Sequence, residues 1–359
     1  MRTLNAFRSP DLIRRLVDDI AHLTEHPIKI MEFCGTHTHA ISRYGLRQIL
    51  PERVSLFSGP GCPVCVTSQA DIDHAIALSA IPDVIITTFG DLLKVPGSQG
   101  SLEVARARGA RVEIVYSPLD ALKIALNHPK QAVIFLGIGF ETTAPTVAAS
   151  ILEAEKNSLD NYFVYSMHKV TPPAMRAILD MGELGLDGVL CPGHVSAVVG
   201  WKAWEFLPRD YGVAAAVGGF EPVDVLWSVR SIILQHEEGI PQVANTYPRT
   251  VQAEGNVKAQ EIMDQVFGIS GALWRGIGEI PRSGLMFRKT YRRFDARSVF
   301  RVNPGKTADT EGCSCGEVIR GVTKPVDCPL FRSVCTPTHP VGPCMVSTEG
   351  TCAAYYLYG

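Results

Sequence analysis

Eight short apolar runs, with stretches of helical spacing between them, constrain this chain more than any other feature. They are IKIMEF (28–33), VSLFSG (54–59), VIITTF (84–89), VEIVY (112–116), AVIFLG (132–137), YFVYSM (162–167), GVLC (188–191) and VAAAVGG (213–219). Continuous β-branched runs lack the alternation of a half-exposed strand, so they read as strands covered on both faces. Such strands alternating with helices build parallel sheets. The expected fold is therefore α/β, with two Rossmann-like parallel-sheet domains. Spacing puts the break near Asn127–Pro129, giving a first unit over 1–127 and a second over 128–265. After about 225 the pattern becomes two helices, at 224–239 and 251–267. A Gly-, Arg- and Pro-rich segment follows and ends in a run of cysteines. Residues 266–359 are expected to form a small third domain organised by metal.

Nearly every strand runs into an unusual loop: EFCGTHTH, SGPGCPVC, TTFGDLLKVPGS, GIGFETTAPT, SMHKVTPP, CPGHVS and GGFEP. Ligands of open α/β sheets sit at the carboxyl ends of the strands. Cys, His, Gly and Pro thus gather where a site belongs. GIGFETTAP lacks the third glycine of a dinucleotide loop and the Lys of a P-loop. Its glycines are expected to allow close backbone approach, with Glu141 and the threonines lining a site between domains. His168, His194 and Glu221 stand at strand ends as groups that could hold a proton or orient a ligand. Cys191 reads as a small buried hydrophobe.

Ten cysteines in 359 residues sharpen the chemistry. The N-terminal stretch has acids and arginines at helical spacing rather than an apolar signal core, and no apolar window is long enough to span a bilayer. The chain thus reads as a cytoplasmic protein that begins with a surface helix. Cytoplasmic thiols stay reduced, so metal binding or thiol redox chemistry is the better explanation than structural disulfides. Net charge is −2 with no long run of either sign, which gives no case for nucleic acid or an anionic membrane. Cys34 lies in CGTHTH, where a thiolate with His37 and His39 nearby suits a soft metal ion, or His37 lowers the thiol pKa and makes it a nucleophile. Cys62 and Cys65 form a C-x-x-C pair, either a redox dithiol or half of a metal site. Cys313, Cys315, Cys328, Cys335, Cys344 and Cys352 are enough for a [4Fe–4S] cluster with two to spare. Four thiolates would also hold zinc, although the paired C-x2-C spacing of zinc ribbons is missing from this segment.

Taken together, EFCGTHTHAISRYG, SGPGCPVCVT, GFETTAPT, CPGHVS and the run from CSCGEVIRG to CAAYY resemble the HypD family of hydrogenase maturation factors over roughly residues 30–359. The resemblance implies two α/β domains and a small domain with a [4Fe–4S] cluster. It implies a HypC-like chaperone that shares one iron ion, and a HypE-like donor of cyanide, itself charged by a HypF-like protein from carbamoyl phosphate. Two cyanides and one carbon monoxide added to that iron make the Fe(CN)2CO unit of a [NiFe] hydrogenase. On this resemblance Cys34 looks like the thiolate that helps hold the iron, with His37 beside it. Cys62 and Cys65 look like the dithiol next to it, able to ligate or to relay electrons. The C-terminal arrangement also resembles ferredoxin–thioredoxin reductase. That likeness gives Cys313, Cys328, Cys335 and Cys352 to the cluster and leaves Cys315 and Cys344 as a redox pair. The alternative function is a free-standing iron–sulfur thiol reductase of that kind.

Overall fold

The structure, a computed structural model, describes residues 6–308 and 310–359. All eight apolar runs are strands. They are β1 (Ile28–Glu32), β2 (Val54–Ser58), β3 (Val84–Thr88), β4 (Arg111–Ile114), β5 (Ala132–Gly137), β6 (Tyr162–Ser166), β7 (Gly188–Pro192) and β8 (Ala214–Gly218). Three more follow: β9 (Val243–Asn245), β10 (Phe267–Trp274) and β11 (Gly278–Phe287). The N-terminal amphipathic stretch is the helix Pro10–Leu23, opened by a proline at its first turn, where the missing N–H costs nothing. The two expected late helices are Pro222–Glu238 and Val257–Val266.

The sheets do not divide where strand spacing suggested. One has five parallel strands in the order β2-β1-β7-β8-β9, and the other four in the order β4-β3-β5-β6. Ile30 of β1 lies between Leu56 of β2 and Gly188 of β7. In the other sheet Ile86 of β3 lies between Val112 of β4 and Ile134 of β5. The expected cut at residue 127 thus falls inside the four-stranded sheet, between β4 and β5. The chain builds β1 and β2, crosses to the other sheet for four strands, then returns. Spacing reports only local order, while strand pairing is decided by faces that must be buried far apart in sequence.

Alternation along the strands shows how the layers stack. On β5, Val133 and Phe135 enter one core and Ile134 and Leu136 another; on β8, Ala214 and Ala216 part in the same way from Ala215 and Val217. Burial on both faces is what the unbroken apolar runs encode. The core holding Ile134, Leu136, Ala215 and Val217 also takes in Cys62, Cys65, Cys315, Cys335, Cys344 and Cys352. The cysteine segment therefore shares the central core rather than forming a third core of its own. The β10–β11 hairpin, expected in that third unit, buries Phe267, Leu285 and Phe287 with the four-stranded sheet. Among the described residues no helix is long and apolar enough to cross a membrane.

Candidate functional site

The carboxyl ends of both sheets face one cleft of about 340 Å³. Its lining includes Phe33 and Cys34 after β1, Gly61 and Pro63 after β2, Asp91 after β3, Thr142 and Thr143 after β5, and His194 after β7. Ser347 and Glu349 of the C-terminal segment close one side. Five strand-end loops and the cysteine segment thus converge, as the sheet rule requires.

Cys34 caps the helix Gly35–Arg43. The backbone N–H groups of Thr36 and His37 face its sulfur and favour the thiolate. Burial works the other way and dominates, with the carboxylates of Glu349 and Glu32 adding to it, so the thiol is pushed up to about 12. An arriving cation would reverse that balance, because a metal deprotonates its thiol ligand. Beneath it, the buried Glu32 carboxylate accepts from the Cys34 N–H at 2.8 Å and from the Thr38 hydroxyl. Burial raises Glu32 to about 7.

The loop after β2 is pressed against this turn. Gly35 N–H donates to the Gly61 carbonyl at 3.0 Å, and a Cβ on Gly61 would overlap the Cys34 backbone. Only glycine permits that approach. Cys62 and Cys65 are joined as a disulfide, with Cα atoms 5.3 Å apart. Both are buried, at 6% and 2% exposure. Pro63 and Val64 form the cleft wall, and the disulfide lies behind it. The far side of the disulfide meets the C-terminal segment, with Cys65 Sγ 4.0 Å from the Pro343 carbonyl.

Beyond Pro343 all six C-terminal cysteines line one small cavity. The thiols of Cys313, Cys315, Cys344 and Cys352 influence one another's protonation in that order, Cys313 with Cys315, Cys315 with Cys344 and Cys344 with Cys352. That influence lowers Cys344 and raises Cys352. In that order Cys315 and Cys344 are next to each other, with Cys313 and Cys352 at the ends. Cys335 Sγ accepts from the Val341 N–H at 3.3 Å. Cys328 lines the same cavity. A tetrahedral ion with thiolate bonds of ~2.3 Å holds its sulfurs roughly 3.8 Å apart. Among the described residues the single donor trio closing within 4.8 Å is Glu25, His26 and Glu237 on the surface. Six soft donors in an apolar cavity fit an iron–sulfur cluster.

Several other candidates lie elsewhere. The buried His37 ring turns from the thiol: Nε2–H donates to the Gly219 carbonyl at 2.9 Å and the ring packs on Phe220. Its Nδ1 has no hydrogen-bond partner among the described residues, and burial lowers its pKa to about 4. His39 donates to the Thr348 carbonyl at 3.2 Å. The histidine in the cleft is His194, stacked on Phe220. Glu141 does not line the cleft; it is buried and accepts from the Thr171 N–H and hydroxyl, both at 2.8 Å. Its neighbours Thr142 and Thr143 do line it. Gly139, at φ +144°, lets that loop turn. Glu221 caps the helix Pro222–Glu238 and pairs with Arg8. Cys191 is fully buried in the core. The loop reading missed Glu349, which accepts from the Thr36 hydroxyl at 2.7 Å. The signal for it was STEG standing just before Cys352, inside the cysteine segment.

The chain is similar to known proteins along nearly its whole length. The profile of a family described as HypD, hydrogenase formation hypA family, matches residues 11–359. Hydrogenase maturation factor HypD of Escherichia coli is 43% identical over all of this chain and 98% of its own length. The HypD of Cupriavidus necator is 44% identical over the whole chain and 97% of its length. HypD2 of Bradyrhizobium diazoefficiens is 46% identical over 93% of this chain and 90% of its own. The cleft at Cys34, the disulfide behind it and the cysteine cavity beyond are thus features of a chain that belongs to the HypD family of hydrogenase maturation factors.

Proposed function

We propose that the cleft holds one iron ion on Cys34 while its cyanide and carbon monoxide ligands are added for a [NiFe] hydrogenase. The observation that carries this reading is the order of sulfurs through the molecule. Cys34 faces the cleft, the Cys62–Cys65 disulfide lies directly behind, and the six-cysteine cavity adjoins the disulfide through Pro343. Cys34 holds the cargo iron through its sulfur, and the Thr36 and His37 amides stabilise the thiolate. Thr142, Thr143, His194 and Glu349 offer donors and acceptors to incoming groups. His37 acts through its neighbours, fixing the Gly219 turn against the helix that Cys34 caps. A HypC-like chaperone completes the iron's coordination from the open side, and a HypE-like protein delivers cyanide there.

Cys313, Cys328, Cys335 and Cys352 would hold a [4Fe–4S] cluster, with Cys315 and Cys344 as the pair beside it. When bound, that group supplies electrons one at a time. The Cys62–Cys65 disulfide accepts two electrons and two protons to become a dithiol, which places reducing equivalents next to the cleft. The thiol-reductase alternative needs a disulfide that a protein substrate can reach, and burial of both sulfurs speaks against it. This chemistry belongs in the reducing cytoplasm.

The test is anaerobic co-purification with a HypC-like partner and infrared spectroscopy, since bound cyanide and carbon monoxide absorb where protein does not. Bands in the native protein that vanish in Cys34→Ala, with sulfide content unchanged, are expected. Undiminished bands in that variant would overturn the assignment.

A further inference from the structure

A larger cavity lies away from the cleft, between the segment after β6 and the β10–β11 hairpin. It measures about 870 Å³, within the usual range for small-molecule sites. Its wall carries Lys169, which is 2% exposed. The Lys169 N–H donates to the Gly139 carbonyl at 3.0 Å, which fixes the backbone there. The ammonium stands 5.6 Å over the Trp274 ring. Among the described residues it makes no hydrogen bond or ion pair, which is unusual for a buried amine. The nearby carboxylate is Asp71, and it is already engaged by Arg297 at 2.7 Å, Ser68 at 2.8 Å and Tyr165 at 3.1 Å. Two cations therefore face one carboxylate. At the rim Lys289 and Arg292 balance Glu279 and Asp295, so the excess positive charge stays with Lys169.

The neighbouring His168 supplies a second, independent sign of a ligand. Its Nδ1 bonds the Ser166 hydroxyl at 3.0 Å, and that hydroxyl donates to the Leu285 carbonyl at 3.4 Å. Ser166 thus accepts from Nδ1–H, and Nε2 carries a bare lone pair. Among the described residues this buried Nε2 has no partner. Burial and the adjacent Lys169 keep the ring neutral, with a pKa lowered to about 3.

We propose that this cavity binds a small organic oxyanion, which pairs with the Lys169 ammonium and donates an O–H or N–H to His168 Nε2. The site is separate from the Cys34 cleft and does not rest on the proposed iron chemistry.

Pyridoxal 5′-phosphate is a suitable probe because it joins an oxyanion to an aldehyde. The neutral Lys169 amine condenses with the aldehyde, the carbonyl oxygen leaves as water, and borohydride adds hydride to the imine carbon to give a stable secondary amine. Burial lowers Lys169 to about 8, so a far larger share of it is neutral near pH 7.5 than of an ordinary lysine. Peptide mapping of the full chain should show labelling of Lys169 on the order of tenfold above the other lysines. Excess inorganic phosphate or acetate, added separately, should suppress it. Protection by phosphate alone would identify a phosphate ester as the ligand class, and protection by acetate alone a carboxylate. In a parallel measurement the protecting anion should raise the melting temperature of the native chain but not that of Lys169→Met. Label spread evenly over the lysines, or no protection by either anion, would overturn the proposal.

Discussion

The Cys34 turn and the six-cysteine cavity use the same donor atom but are held in opposite ways. Cys34 sits between β1 and the helix Gly35–Arg43, with its backbone tied to Glu32 and to Gly61. The cysteine cavity is walled by loops with only brief helical turns, Cys315–Ile319, Pro325–Asp327 and Pro343–Met345, before the helix Thr351–Tyr358. Its buried side chains are largely the thiols themselves. One site is organised by the fold and can stand empty. The other lends its donors to the core, so what they bind becomes part of what folds the segment.

The sharpest way to break this contrast is to remove one thiol from each side. Cys335→Ala should lose most iron and sulfide and destabilise the chain by about 3 kcal/mol or more, as losing a buried ligand and part of a core does. Cys34→Ala should leave the melting temperature within a degree or two, on the order of 0.5 kcal/mol. Equal losses in thermal denaturation would erase the distinction.

Gly61→Ala comes next. Its added methyl must push the Cys34 backbone aside, at a cost of about 1–3 kcal/mol. The damage should stay near the cleft, and iron content of the C-terminal segment should hold; loss of that iron would tie the two sites together.

Acid sharpens the comparison at the Cys34 end. His37 is held neutral in the folded chain at about 4, below the ordinary 6.5, so the unfolded chain takes up its proton first. Stability should therefore fall as pH drops from about 6.5 towards 4, by an amount on the order of 1–3 kcal/mol. In His37→Gln this dependence should flatten over that window. Denaturant titrations at several pH values measure it, and an unchanged slope in the variant would assign the acid loss elsewhere.

The smallest expected effect is at the seam between the regions. Thr36→Val removes the hydroxyl that Glu349 accepts from, worth roughly 1 kcal/mol. Amide exchange should quicken over residues 343–350. No change there would mean that the cysteine segment holds its place against the cleft without this contact.

The strands were legible because burial on both faces writes itself into local composition, and Cys34 was legible because it follows such a run directly. Pairing was not. Nothing in IKIMEF announces that its neighbour is GVLC rather than VIITTF alone, since that choice rests on contacts distant in sequence. The direction of the His37 ring was equally hidden, because the carbonyl it bonds belongs to Gly219, on the loop after β8. The six cysteines announced a soft-donor site, yet spacing could not order their sulfurs, for the segment runs through loops whose geometry depends on one another. Glu141 misled because a carboxylate in a glycine-rich loop looks like a ligand group, whereas here it satisfies the start of the helix Thr171–Met181.

Placing β7 beside β1 has a consequence for how the chain is born. β1 ends at Glu32 and β7 begins at Gly188. At ribosomal rates of ~5–20 residues per second, β1 waits roughly ten seconds or more for the neighbour that covers its inner edge. Meanwhile β3 to β6 emerge in succession and can pair with one another, while the face that Phe267, Leu285 and Phe287 cover waits for the β10–β11 hairpin. The nascent protein then carries a paired four-stranded sheet tethered to an open, apolar strand edge, the form of strand most prone to pair with the wrong chain.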